Sequence, residues 1–64
     1  MRIDRFKLMH TMIDKNINVC VLAERAGLSR ATISGIRNGR SCLYETGLKI
    51  AEALGVKPED LLEK

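Results

Sequence analysis

Apolar residues recur along this chain at intervals of three and four, the spacing that lines up one face of an α-helix. The clearest case is Asn18 to Arg40, NVCVLAERAGLSRATISGIRNGR, two short amphipathic segments separated by a glycine. In the first, Asn18 is a capping residue and Leu22, Ala23 and Ala26 share a stripe. Gly27 ends it, since glycine takes the left-handed conformation of a helix end without a Cβ penalty. Leu28 is the buried residue of the turn and Ser29 caps the second segment, where Ile33 and Ile36 form the inward stripe and Asn38-Gly39 is a stop. Ala23 and Gly27 stand where two steeply crossing helices come closest, and Leu22, Ala26, Leu28, Ile33 and Ile36 fill the wedge between them. The pattern predicts a helix-turn-helix.

The flanking patterns predict three more helices. A first runs from about Asp4, its cap, to Lys15, with Phe6, Met9, Ile13 and Met12 inward and Phe6, the one phenylalanine, as core anchor. Met1 and Arg2 read as a frayed start. Asn16-Ile17-Asn18 is a turn with Ile17 tucked under the next helix. A fourth helix spans about Glu45 to Leu54, packing Leu48, Ala51, Leu54 and Ile50, and Gly55 ends it. A fifth begins at Pro58, favoured in a first turn, with Glu59 and Asp60 placed well for the helix dipole. The expectation is an all-α, five-helix single domain over residues 1–64, with helices 2 and 3 forming the helix-turn-helix.

At 64 residues the chain is near the lower size at which a core holds without disulfides or metal, and 45% hydrophobic against 30% charged residues is a globular balance. No apolar run approaches the roughly 20 residues of a membrane span, and MRIDRFK lacks the apolar stretch of a secretory signal, so a cytoplasmic location is expected. Cys20, Cys42 and His10 are too few and wrongly spaced for a closed zinc site, and cytoplasmic thiols stay reduced. Neither cofactor nor metal is expected. The net charge of +3 is modest, but its placement is informative. Residues 29–43 hold Arg30, Arg37 and Arg40 and no acid, whereas 44–64 hold five acids against three lysines. Such a single-signed segment suits a phosphate-facing surface, and a solvated helix face explains it equally well. Arg5, Lys7 and Lys15 stand open between the same two readings.

The run L-A-x-x-A-G-L-S-x-x-T-I-S-x-I-x-N-G-R resembles the DNA-binding domain of the lambda-repressor-like (Cro/C1-type, XRE family) transcriptional regulators. K-I-A-E-A-L-G-V-K-P-E-D-L-L, from Lys49 to Leu62, is similar to that family's closing helices. The resemblance implies base contacts at Arg30, Ala31 and Gly35 and a phosphate contact at Asn38. Where many relatives carry a phosphate-binding glutamine this chain has Val19, which leaves the N–H groups of the helix start to meet a phosphate. It also implies a two-fold contact between copies, for which Val56, Leu61 and Leu62 supply apolar side chains.

Helical geometry adds to this. With Ile33 and Ile36 inward, Ala31, Ser34, Gly35 and Asn38 turn outward, with Arg30 and Arg37 on one flank. Arg30 has the forked donors that pair with guanine in the major groove. Ser34 donates to a base or a phosphate, or is simply a small exposed residue. Gly35 marks either a close approach or plain tolerance of a glycine inside a helix. Arg37, Arg40, Ser41 and Asn38 join Val19 as phosphate contacts. There is no nucleophile with a base, no Gly-rich phosphate loop after a strand and no placed carboxylate pair, so no enzyme is expected. The leading reading is a sequence-specific regulator, a repressor binding double-stranded DNA as a homodimer on a two-fold operator, with no small-molecule ligand evident. The alternative is an antitoxin or adaptor-type protein-interaction module of the same fold, which would show a larger apolar patch in place of the arginine cluster.

Overall fold

Asp4 fixes the start of the first helix: its carboxylate accepts hydrogen bonds from the backbone N–H groups of Phe6 at 2.9 Å and Lys7 at 3.2 Å. The computed structural model describes residues 2–62. Among them are four α-helices: α1 (Arg5–Asp14), α2 (Val19–Ala26), α3 (Arg30–Arg37) and α4 (Tyr44–Leu54). Asn18 and Ser29 cap α2 and α3 as their spacing predicts, accepting from Val21 N at 2.8 Å and Thr32 N at 3.1 Å.

All four helices close in the same way. The residue after each last turn lies in the left-handed region, Asn16 at φ 55°, Gly27 at 69°, Gly39 at 98° and Gly55 at 71°. The next N–H then reaches back five positions: Ile17 to the Met12 carbonyl at 2.8 Å, Leu28 to Ala23 at 2.9 Å, Arg40 to Gly35 at 3.0 Å and Val56 to Ala51 at 3.0 Å. These bonds satisfy carbonyls that a helix end otherwise leaves open. Ile17, Leu28 and Val56 also press apolar side chains on the core; after α3 the same position is held by Arg40. Gly27 itself is exposed, and a Cβ built on it meets nothing within 4 Å. It is therefore required for its backbone angle and not, as the crossing-helix pattern predicts, for a close approach. Ala23, which is buried, keeps that role alone.

α2 packs on both α3 and α4, and α1 packs on α3. The core unites Leu8 and Met12 of α1, Leu22 and Ala23 of α2, Ile33 and Ile36 of α3, and Ile50, Ala51 and Leu54 of α4, with Ile3, Ile17 and Leu61 from the connecting segments.

The buried faces of two helices differ from expectation. The inward face of α1 is Leu8 and Met12, while Phe6 is 65% exposed and Ile13 79% exposed. At about 100° per residue, Leu8, Met12, Met9, Ile13 and Phe6 spread over nearly half of this helix, and the edge holding Leu8 and Met12 is the one that joins Ile3 and Ile17 in the core. In α4 Ile50, Ala51 and Leu54 are buried as expected, with Gly47 beside them, but Leu48 is only half-buried.

The fifth helix is a single 3-10 turn, Pro58–Asp60, because the chain bends at once to deliver Leu61 to the core. There the Asp4 N–H donates to the Leu61 carbonyl at 2.8 Å, Ile3 and Leu62 form an antiparallel bridge, and Lys7 Nζ donates to the Leu62 carbonyl at 3.0 Å. The start of the chain is thus not frayed at Arg2, whose guanidinium donates to the Gly39 carbonyl at 3.3 Å. Met1 lies outside the described residues. No helix among the described residues is long and apolar enough to cross a membrane.

Candidate nucleic-acid interface

Ile33 and Ile36 are 0% and 2% exposed, which fixes the rotation of α3. Arg30, Ala31 and Ser34 consequently lie open to solvent on its outer side, and Asn38 is exposed at its end. Arg30 reaches across to the beginning of α2, where its Nη1 donates to Cys20 Sγ at 3.5 Å. This draws the guanidinium towards the first turn of α2. Asn18 takes up the Val21 N–H there, and a helix start directs its remaining first amides outward. Val19 is half-buried against the core, so this position offers backbone and not a side chain to a phosphate.

Gly35 is half-buried, and its cover is Arg40: a Cβ built on Gly35 stands 3.2 Å from Arg40 Cδ. The capping bond from Arg40 N to the Gly35 carbonyl explains the contact, since in this type of helix end those two side chains normally meet as an apolar pair. A side chain of the same molecule thus approaches Gly35 closely, whereas the close approach expected of it is to a DNA groove. Arg40 and Ser41 are exposed and border the same side of α3.

Arg37 shares a flank of α3 with Arg30, as expected, and the two line one depression. It is half-buried beside Met9 and Ser34, and its Nε is enclosed with no hydrogen-bond partner, so part of its side chain packs on α1. Arg2 and Arg5 were not anticipated as a pair. They line one depression with Asn38 and Gly39, bringing the start of the chain to the end of α3. The only signal in the sequence was their presence in MRIDRFK, which gives no hint of where that segment packs.

Of the residues expected to join two copies, Leu61 is wholly enclosed and belongs to the core. Val56 and Leu62 remain half-buried. Cys20 is exposed and Cys42 half-buried, and burial pushes the Cys42 thiol above its ordinary value.

A basic helix with a bare outer face, set beside a capped helix start, is the arrangement by which a helix-turn-helix enters a DNA groove. The family model of the Cro/C1-type helix-turn-helix DNA-binding domain matches residues 7–63. The chain belongs to that family. The structure is similar to the restriction-modification controller protein C.AhdI from Aeromonas hydrophila, at 29% identity and TM-score 0.86, over 91% of this chain and 89% of that one. It is also similar to part of native PhpD with cadmium atoms (31% identity, TM-score 0.86) and of a hydroxyethylphosphonate dioxygenase mutant (31% identity, TM-score 0.88). This chain is covered entirely in both matches but spans only 14% of those two. No curated protein matches the sequence.

Proposed function

We propose that this domain is a cytoplasmic transcriptional repressor that binds a two-fold operator as a homodimer, laying α3 in the major groove. One observation carries the reading: burial of Ile33 and Ile36 leaves an outer face of Arg30, Ala31 and Ser34 that is open, basic and free of acid. Arg30 reads a guanine by its paired donors, Ala31 and Ser34 meet neighbouring base edges, and Gly35 keeps the helix surface low under the Arg40 stem. The amides at the start of α2, by Val19, hold one phosphate; Asn38, Arg40 and Ser41, with Arg37, hold another.

Val56 and Leu62 provide the contact between copies, which places half-sites about 34 Å apart. C.AhdI is a restriction-modification controller protein, which supports a regulator. The PhpD and dioxygenase matches cover too little of those chains to bring their chemistry here, and we assign this domain no catalysis. The adaptor reading has one point in its favour, the exposed Phe6 and Ile13 with half-buried Met9 between them on α1; the acid-free arginines of α3 and its following loop favour DNA.

Selection of bound duplexes from a random pool tests the proposal. Winners with two inverted half-sites about one helical turn apart are expected. Enrichment of nothing, together with absence of binding to duplex DNA at low salt, would refute it.

A further inference from the structure

We infer that Arg2 and Arg5 form an additional grip on the DNA backbone, each taking a phosphate beside the one assigned to the loop that leaves α3. This depends on the DNA-binding reading above and extends it to a segment outside the helix-turn-helix.

Three observations converge. Arg2 Nη2 donates to the Gly39 carbonyl at 3.3 Å, which ties the start of the chain to the end of the basic helix. Arg2, Arg5, Phe6, Asn38 and Gly39 line one depression, continuous with the proposed interface through Asn38. The Arg5 guanidinium carbon stands 5.1 Å from the centroid of the Phe6 ring. Phe6 is 65% exposed, a poor use of the one phenylalanine as core, but an aromatic face beside a guanidinium restrains where that cation points.

The backbone carrying both arginines is itself anchored. Ile3, between them, is 2% exposed and bridged to Leu62, so little ordering remains to be done on binding. The one acid among the described lining residues is Asp4, and its carboxylate is engaged by the Phe6 and Lys7 amides at the start of α1. Lys7 turns its ammonium to the Leu62 carbonyl. Arg2 and Arg5 each carry a guanidinium fork, the geometry that suits phosphate oxygens.

The test is fluorescence anisotropy of the full chain on one selected duplex across a range of NaCl concentrations. Each phosphate contact contributes about 0.9 to the slope of log affinity against log salt, so Arg2→Ala with Arg5→Ala should lower its magnitude by about 1.8. Lysine at both positions should restore most of that. Arg25→Ala with Lys49→Ala removes the same charge from a separate depression and should leave the slope unchanged. Should the double alanine variant prove unfolded by circular dichroism, Arg5→Gln alone carries the test, with a fall of about 0.9. A slope equal to that of the Arg25/Lys49 control would overturn the grip while leaving the DNA reading intact. Absence of salt-dependent binding by the unaltered chain would overturn both.

Discussion

Replacing Gly27 separates two explanations for the glycine at the centre of the helix-turn-helix. Its φ of 69° is left-handed, and the space where a Cβ would sit is empty to 4 Å. An alanine there should therefore lose only the conformational term, roughly 1–2 kcal/mol for an L-residue in this region. The smaller freedom of unfolded alanine returns about 0.4–1 kcal/mol, leaving a net loss of about 1 kcal/mol. In a domain of this size that lowers the melting temperature by roughly 4–8 °C.

Asparagine enters the left-handed region more readily, so Gly27→Asn should lose less than Gly27→Ala even though its side chain is larger. The reciprocal change Asn16→Gly, at φ 55°, should be neutral or stabilising. Urea unfolding followed by circular dichroism reads all three. If Gly27→Asn proved worse than Gly27→Ala, side-chain room and not backbone angle would set the requirement, and the geometry of the turn as described would be wrong.

Other outcomes follow from the same coordinates. Leu8→Ala, which empties a fully buried position, should lose about 2–5 kcal/mol, whereas Phe6→Ala should stay within about 0.5 kcal/mol of the unaltered chain by the same urea assay. Arg30→Ala should erase preference at one operator position at about 1–3 kcal/mol, while Asn38→Ala should weaken all sequences alike. Equal, uniform losses from both in competition binding would contradict that division. At mildly alkaline pH a thiol reagent should label exposed Cys20 well before Cys42. Because burial raises the Cys42 thiol in the folded chain, stability should hold below the ordinary thiol range and fall as pH rises through it. Cys42→Ser should remove that alkaline decline in the urea midpoint.

The helix-turn-helix could be read from the chain because its determinants are local. Asn18 and Ser29 reach amides three residues on, Gly27 sets its own φ, and Ile33 and Ile36 repeat at helical spacing. Once those two isoleucines turn inward, ~100° per residue leaves Arg30, Ala31 and Ser34 outside.

What escaped the sequence depended on contacts between distant segments. Local periodicity could not choose between the stripe of Phe6 and that of Leu8, since both are apolar; the packing of Ile3 and Ile17 beside α1 made the choice. Local pattern divides Leu61 and Leu62 between core and surface without saying which goes where; the bond from the Asp4 N–H to the Leu61 carbonyl, with the chain closing over it, makes Leu61 the buried one. Arg2 and Arg37 have the same charge, yet one meets Gly39 across 37 positions and the other is folded partly against α1. Sequence determined which segments are helices and which way the recognition helix turns, because those depend on neighbours within four residues. Only the tertiary structure decided which apolar face is covered and which arginines gather at the end of α3, because those depend on what the rest of the chain brings to them.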